Sequence, residues 1–435
     1  MNFKLRIDYC ACVLMLIFVV IVEANYWLLL QTFKISVLTV DIIWAVLLIL
    51  PVIIAHGKLK FTPVMGVWAI YLFIVLIRNQ EFFHMAYMNT LRIVLCVVTV
   101  FVCAAKAEWT KSVPLMMFII GVPNVIATLL FFVNKNLYYL FISKTYKEFQ
   151  SGTYGGQFGY RAGIAGHYSH NGTYIAMVFI VLGVMLCCLG LKRQKLIITV
   201  ALTVFTGVAL FLTSKRAHIL FGAAAILILY YVANRSNKTN KFLRIIIFGV
   251  ITAVGLALFL ELMPNASFTI ERFQAAGEDG ASKYRILMWK HAMNGFFKSP
   301  IFGSGWYGFS YDPNIAWVPG ASSGCHNIYI QLLFDTGIAG FTVTVGAIIW
   351  SLVTTVKNLL LIKKSDADNN YFLTQSMSFA IQVFYVLYGM TGNMLFDQMF
   401  MFYAIAIAVS MATNANISSI INPVYKIENG KKVQA

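Results

Sequence analysis

Charged residues are scarce in this 435-residue chain. Asp, Glu, Lys and Arg make up 11% of it, whereas hydrophobic residues make up 60%. Soluble globular proteins carry about 25% charged residues, so the composition excludes an ordinary soluble domain. The apolar residues do not alternate along short segments, as the strands of a membrane barrel would require. They form blocks of about 20 residues, the length at which a helix crosses the hydrocarbon core of a bilayer.

Metal-binding and disulfide patterns are also missing. The seven cysteines include no CxxC pair, and only Cys325 is expected in an outer loop, so no disulfide framework is implied. His167 and His170 have no Cys or acidic residue at metal-ligand spacing, so we predict no zinc site, and we expect no cofactor. No basic run with interleaved aromatic residues lies on a soluble segment, and we therefore expect no nucleic-acid partner.

The apolar blocks predict an all-α polytopic membrane protein with about twelve spans in a single transmembrane domain covering 1–435. The spans are expected at 11–30, 35–55, 62–78, 86–105, 112–133, 172–191, 195–212, 217–233, 243–263, 337–360, 371–391 and 397–413. The first block is too long for a signal-peptide core, and no small-x-small cleavage site follows it, so we interpret it as a span. Two longer extracytoplasmic loops are expected at 134–171 and 264–325.

The distribution of basic residues predicts the orientation. The formal net charge is +17. With both termini in the cytoplasm, 19 of the 33 Lys and Arg residues fall inside and 13 outside, and Arg92 lies within a span. Short connections with dense positive charge are all inside, as the positive-inside rule requires. The outside charges concentrate in the two long loops and in the turn at Lys215 and Arg216.

Three early spans carry charged residues, namely Glu23, Asp41 and Arg92, in the outer third of each helix. An unpaired charge at that depth is costly, so pairing is expected. The three residues form either a structural ion pair that braces the helices or a polar floor under an outward-facing cavity, and the sequence leaves both open.

The loop 264–325 is predicted to contain one amphipathic helix from about Ser282 to Lys298. Arg285, Trp289, Ala292 and Phe296 recur on a single face of such a helix. The glycine- and proline-rich run from Ser299 to Gly305 is expected to end it.

Three outer segments carry side chains suited to chemistry. Lys215 and Arg216 sit in a short turn, where they could bind phosphate or simply reach the membrane interface. The glycine-rich loop 151–171 contains Arg161, His170 and Asn171, which suit sugar contacts, although a flexible surface loop would look the same. His326 opens an apolar stretch and could accept a proton near neutral pH, or it could be structural.

Together these residues resemble the signature of a known family. His326-Asn327, a nine-residue spacer and Gly337-x-x-Gly340 are similar to the motif of the bacterial O-antigen ligase and O-antigen polymerase superfamily. The pattern is also matched by Arg216 in its turn, by Arg285 and Trp289 followed by Pro300–Gly305, and by Arg161-Ala-Gly163 with Asn171. The resemblance covers roughly 150–345. Lys215 departs from it, because a small residue more often precedes the arginine.

The resemblance implies a GT-C-like glycosyltransferase of the bacterial cytoplasmic (inner) membrane that works by inversion and without a metal. Its donor would be an oligosaccharide linked to undecaprenyl diphosphate. Arg216 and Arg285, with support from Lys215, would stabilise the departing diphosphate, and His326 would act as the base. Substrate contacts are expected from the loop and motif residues Arg161, His170, Asn171, Asn327 and Trp289. Asp312 and Asp335 are candidate helpers, and the missing carboxylate pair argues against glycoside hydrolysis.

Polymerisation of O-antigen, capsular or exopolysaccharide repeat units is the preferred activity, because polar outer loops suit two long sugar substrates. Ligation of the finished polymer is the alternative, since both activities share the motif. A transporter or flippase without catalysis is the alternative of a different class, but the chain lacks two related halves with broken helices. Besides the lipid bilayer, a chain-length regulator and a flippase are candidate partners.

Overall fold

The structure is a computed structural model that describes chiefly residues 107–134, 168–233, 280–319, 324–365, 367–393, 400–422, 425–428 and 431–434, with isolated positions between these ranges. Five predicted spans (11–30, 35–55, 62–78, 86–105 and 243–263) lie wholly or almost wholly outside the described residues. The same holds for Glu23, Asp41 and Arg92.

The described chain is helical up to a short hairpin at its C-terminal end. A 3-10 turn at Glu108–Ser112 leads into the helices α1 (Val113–Val133), α2 (Tyr168–Cys188), α3 (Arg193–Leu212), α4 (Arg216–Ala233), α5 (Gly280–Lys298), α6 (Gly308–Tyr311), α7 (Ile328–Lys363), α8 (Asn369–Tyr388), α9 (Phe400–Ala415) and α10 (Ile417–Ile421). Strands β1 (Tyr425–Glu428) and β2 (Lys431–Gln434) pair antiparallel, with Tyr425 opposite Gln434. No pattern in the sequence predicted this hairpin.

Five of the described helices are long and apolar enough to cross a membrane. They are α1 with its preceding turn, α2, α3, α4 and α7, and α9 is a shorter apolar helix. The prediction of a multi-pass helical membrane protein is therefore confirmed, while the count of twelve spans stays a prediction. Helix α8 coincides with the predicted span 371–391 but is less apolar, because Gln375, Ser376, Ser378 and Gln382 lie on it.

Residues 115–286 belong to one compact unit, in which α2 is the most enclosed of the described candidate spans. Small residues let its neighbours approach closely. A methyl group at Gly121 of α1 would collide with Val178 and would lie 2.7 Å from the carbonyl oxygen of Tyr174. A methyl group at Gly183 would collide in the same way with Ile226 of α4. Close backbone approach at small residues is the usual way in which helices associate in lipid.

Residues 287–435, together with the described residues before 115, belong to a second compact unit. Helices α7, α8 and α9 pack there around buried polar side chains. Gln382 Nε2 donates to Thr355 Oγ1 at 2.7 Å, Thr355 Oγ1 donates to Ser410 Oγ at 2.8 Å, and Asn358 Nδ2 donates to the carbonyl oxygen of Ser410 at 3.0 Å. These interhelical bonds satisfy polar groups that hydrocarbon could not solvate.

Candidate active site

His326 lies in a backbone conformation that few side chains adopt. Its φ is +56°, in the left-handed region, where a residue with a Cβ is strained by about 1–2 kcal/mol. Such strain persists only where the surrounding structure enforces it, and it is concentrated at functional sites. His326 is partly exposed, so its ring is accessible while its backbone is held.

The residue before His326 is anchored by hydrogen bonds to its backbone. Trp289 Nε1 of α5 donates to the carbonyl oxygen of Cys325 at 2.9 Å. The backbone N–H of Cys325 donates to Gln331 Oε1 at 3.1 Å. The Cys325 side chain is fully buried, and this burial raises the pKa of its thiol to about 12. Cys325 is therefore a packing residue that fixes the position of its neighbour.

The residue after His326 is the N-cap of α7. The Asn327 side-chain oxygen accepts hydrogen bonds from the backbone N–H groups of Tyr329 at 3.1 Å and Ile330 at 3.2 Å. The N–H of Ile328 donates to the carbonyl oxygen of Gly389 at 2.8 Å, which ties the start of α7 to the end of α8. Asparagine is among the best N-caps, so the His-Asn pair places the His326 side chain directly before a helix start.

Among the described residues, Asn393 places a polar side chain next to the His326 ring. Its Nδ2 lies 3.5 Å from His326 Nδ1, the upper limit of a hydrogen bond. Asn393 follows α8, 67 residues further along the chain. Because amide nitrogen and oxygen exchange places on a half-turn of the side chain, Asn393 can present either a donor or an acceptor to Nδ1.

The second half of the motif is a break in α7. Gly337 has φ +64° and ψ −169°, so the helix stops there and restarts. The nine residues 328–336 form the first piece, which spans about 13.5 Å at 1.5 Å per residue. The spacer therefore sets the distance between the His326 loop and the break.

The segment 299–305 fills this break and satisfies its open backbone groups. Ser304 N–H donates to the Phe334 carbonyl oxygen at 2.8 Å, and Gly305 N–H donates to that of Asp335 at 2.9 Å. In the other direction, Ile338 N–H donates to the carbonyl oxygen of Pro300 at 2.8 Å. The ends of α7 at the break and the segment 299–305 lie so close together that two glycines have no room for a side chain. A methyl group at Gly303 would lie 2.5 Å from backbone atoms of the broken helix, and one at Gly337 would collide with the backbone of 301–302.

The two acidic residues expected as helpers are both engaged within the protein. Asp335 is fully buried, and its Oδ1 accepts the backbone N–H of Phe309 at 2.9 Å. Asp312 Oδ2 lies 2.7 Å from His291 Nε2 of α5, and its Oδ1 accepts the N–H of Asn314. Burial acts to raise the pKa of Asp312, but the hydrogen bonds from His291 and Asn314 outweigh it and the pKa is lowered. Both side chains thus hold the segment 308–314 through hydrogen bonds.

The amphipathic helix predicted at 282–298 is confirmed as α5, which begins two residues earlier at Gly280. Met288 and Ala292 are buried against Phe309, Phe334 and Cys325. Arg285 lies one turn before Trp289 and is partly buried. Arg285 and Trp289 therefore lie on the same face of α5, and Trp289 is the residue that anchors the His326 loop.

In the 115–286 unit, a tight turn carries the predicted basic residues Lys215 and Arg216. Ser214 has φ +56°, and α4 starts at Arg216. Lys215 Nζ lies 4.5 Å from the ring centroid of Tyr168, the first residue of α2. A cation over an aromatic face is held in place at a modest gain in free energy. The turn therefore orients Lys215 towards the start of α2, with Arg216 beside it in sequence.

Arg161 and Asn171 are brought together, but their contacts are internal. Asn171 Nδ2 donates to the Arg161 carbonyl oxygen at 2.8 Å and to Thr128 Oγ1 at 2.9 Å, and its side chain is fully buried. The Arg161 guanidinium lies 3.7 Å from the ring centroid of Phe131. This arrangement anchors the end of the glycine-rich loop to α1 and α2. Residues 151–160 and His167 lie outside the described residues.

A further histidine of the same turn region lies on α4 in the same unit. His218 is fully buried, and its Nε2 lies 2.9 Å from Thr173 Oγ1 of α2. Thr173 follows Asn171 by two residues, and His170 is partly buried in the same first turn of α2.

The predicted site residues thus form one group in each unit. Arg161, His170, Asn171, Lys215 and Arg216 belong to residues 115–286, whereas Trp289, His326 and Asn327 belong to residues 287–435. Arg285 lies near the end of the first range, on α5. Their roles in binding and catalysis stay predictions.

Sequence reasoning missed Gln331, Asn393 and Tyr168. Gln331 lies in the nine-residue spacer, whose residues looked like ordinary apolar helix. Asn393 had one available signal, the glycine- and asparagine-containing break between the last two predicted spans. Tyr168 had none, because cation–π pairing between distant segments has no sequence signature.

The comparison with known families supports the resemblance found in the motifs. Residues 201–345 match the family model described as O-antigen ligase. The match supports the assignment of this region to the O-antigen ligase and polymerase superfamily. The match contains Lys215, Arg216, Arg285, Trp289, His326 and Asn327, and it ends beyond Gly340. No curated protein matches the chain.

Proposed function

We propose that the protein transfers a glycan from an undecaprenyl-diphosphate carrier to a sugar hydroxyl on the extracytoplasmic face of the bacterial cytoplasmic membrane. Polymerisation of polysaccharide repeat units is the preferred activity. The family match supports glycan transfer of the ligase or polymerase type. The helices support the membrane setting that a lipid-linked donor requires.

The observation that carries the proposal is the geometry of His326. A partly exposed imidazole sits on a strained residue whose neighbours on both sides are fixed by Trp289, Gln331 and the Asn327 cap. A general base must be held within hydrogen-bond reach of the proton that it removes. Enforced strain at one accessible histidine fits that requirement better than it fits a purely structural role.

In the proposed step, the acceptor hydroxyl oxygen attacks the anomeric carbon from the face opposite the carrier. The bond between the anomeric carbon and the diphosphate oxygen breaks, its electron pair leaves with the diphosphate, and His326 takes the hydroxyl proton. If Nε2 is the basic nitrogen, Nδ1 must carry the other proton and donate it to a neighbour. With its amide turned by half a turn, Asn393 would accept a hydrogen bond from Nδ1–H through its oxygen, which would fix the ring tautomer.

The departing diphosphate requires positive charge. Arg216 and Arg285 supply planar guanidinium groups that bind phosphate oxygens in pairs, and Lys215 adds a point charge. Removing a single such group at a site of developing charge commonly costs about 2.7–4 kcal/mol of transition-state stabilisation. We propose that these cations stabilise the leaving group and that no metal is required.

Ligation of a finished polymer to its acceptor is the second candidate, because the matched family is described as O-antigen ligase. The two activities use the same bond-forming step and differ in the acceptor. The residues of the motif are therefore expected to be needed for either one.

The test is a size-resolved gel of cell-envelope glycans from a gene-deleted strain complemented with the wild-type gene or with His326→Ala. Accumulation of single lipid-linked repeat units with the variant would support polymerisation with His326 as an essential residue. Long lipid-linked chains that stay unattached would assign the ligase activity. A wild-type pattern from the variant would refute the role of His326 as the base.

A further inference from the structure

Large apolar side chains are exposed around the break in α7, in a segment without a transmembrane pattern. Phe297 at the end of α5 is 69% exposed, Ile301 is 58% exposed and Phe302 is 63% exposed. We call these three residues the 297–302 patch, and Ile338, which is 48% exposed, is the first residue of α7 after the break. Contiguous exposed apolar groups on a folded protein mark an interaction surface.

The patch is continuous with a surface that faces lipid. Along α7 after the break, exposed residues recur every three or four positions at Ile338, Thr342, Gly346, Ile349, Val353, Lys357 and Leu361, and Trp350 next to Ile349 is exposed as well. This spacing defines a single stripe along the helix. The N–H of Ile338 donates to the carbonyl oxygen of Pro300, and that of Ala339 donates to the carbonyl oxygen of Ile301 at 3.2 Å. The 297–302 patch therefore adjoins the end of the stripe.

The length of the stripe places the patch at the membrane surface. Lys357 is exposed on the stripe, and an exposed lysine in a span marks the interface that its ammonium group reaches. From Lys357 to Ile338 the helix rises about 29 Å at 1.5 Å per residue. The hydrocarbon core is about 30 Å thick, so Ile338 and the adjoining patch lie at the opposite boundary of the core.

The charges on α5 agree with a helix lying in that boundary. Met293 and Phe297 share one flank of α5, while Asn294 and Lys298 share a flank about 100° further round. Lys290 lies between these flanks and is exposed. An apolar flank beside a lysine is the arrangement of helices that lie in the plane of the interface and contact anionic lipids.

We propose that the 297–302 patch is a bilayer-binding surface and that Phe297, Ile301 and Phe302 insert among the phospholipids of the leaflet at the His326 end of α7. Lys290 then contacts the phosphate groups of anionic lipids. This surface holds the C-terminal end of α5 and the segment that interlocks with α7 at a fixed height against the membrane. Trp289 and the His326 loop are fixed with them.

The experiment uses the full-length protein in nanodiscs of phosphatidylglycerol and phosphatidylcholine in equal amounts. The photoreactive amino acid p-benzoylphenylalanine replaces Phe297, Phe302, Ile349 or Asn294, one at a time. Ile349 on the stripe is the lipid-facing reference, and Asn294 on the other flank of α5 is the matched control. After illumination, mass spectrometry identifies what is attached to each position.

We expect phospholipid adducts at 297 and 302 in yields similar to that at 349, and little adduct at 294. Phosphatidylglycerol is expected to be enriched among the adducts at 297, and Lys290→Gln is expected to reduce that enrichment by up to about fivefold. Yields at 297 and 302 as low as at 294, while 349 reacts well, would overturn the proposal. So would crosslinks between two copies of the chain, or adducts that form only when a polyprenyl diphosphate is added.

Discussion

Replacing the N-cap Asn327 separates its structural role from a role in binding sugar. Asn327→Ala removes the acceptor for the N–H groups of Tyr329 and Ile330, which costs about 1 kcal/mol at a typical cap. The strain at His326 is of similar size, about 1–2 kcal/mol, and the cap helps to enforce it. Because 1 kcal/mol corresponds to about a fivefold change in population, turnover is expected to fall by up to about fivefold.

The matched variants are Asn327→Ser and Asn327→Asp, which are nearly as good N-caps as asparagine. Both are expected to keep turnover close to that of the wild type. The assay is the rate at which purified protein in nanodiscs extends a lipid-linked repeat unit, with equal amounts of folded protein confirmed by its melting curve. If the serine and aspartate variants lose as much turnover as the alanine variant, the amide contacts substrate and the capping argument is wrong.

Three further predictions concern the break, the basic turn and pH. Gly337→Ala is expected to lower the free energy of unfolding by about 2–4 kcal/mol, because the φ of Gly337 is +64° and a methyl group would collide with the segment 301–302. Gly346→Ala is the control, because a methyl group there meets nothing within 4 Å. It should be neutral or stabilising in the same melting experiment. Tyr168→Leu should reduce glycan transfer as much as Lys215→Ala, whereas Tyr168→Phe should retain it. Equal losses from both tyrosine variants would rule out a role for the cation–π contact. The loss from Lys215→Ala should be smaller than the loss from Arg216→Ala. Because the pKa of Asp312 is lowered, its hydrogen-bonded carboxylate stabilises the fold at pH values above the unfolded pKa of about 3.9, and this contribution is lost as the pH falls through the folded pKa. The melting temperatures of the wild type and Asp312→Asn should therefore converge below about pH 4. A difference that stays constant with pH would contradict this reasoning.

Much of the helical framework could be predicted, because apolar length and periodicity are local properties of the sequence. The predicted span 112–133 is observed at Val113–Val133, and the amphipathic helix is observed within two residues of its predicted ends. The span predicted at 337–360 begins nine residues earlier in the structure, at Ile328. Hydropathy detected the part that crosses lipid, and Gly337 looked like a helix start although it is a break within α7.

The contacts that shape the candidate site could not be predicted in the same way. The motif named His326 and Asn327, but nothing in it shows that Asn327 is a cap or that Trp289 bonds to Cys325. Asn393 reaches His326 across 67 residues of chain, and such a pairing depends on how α7 and α8 pack. Side-chain partners from distant segments follow from tertiary packing, which a single sequence does not display.

The interlock between the segment 299–305 and the break in α7 has a consequence for engineering. Each strip of backbone supplies the donors and acceptors that the other lacks, and glycines permit the approach on both sides. A chimaera that exchanges only the segment 299–305, or only α7, would pair a segment and a helix whose backbones are not complementary. A functional chimaera between relatives will therefore require that both strips are exchanged together, although about thirty residues separate them along the chain.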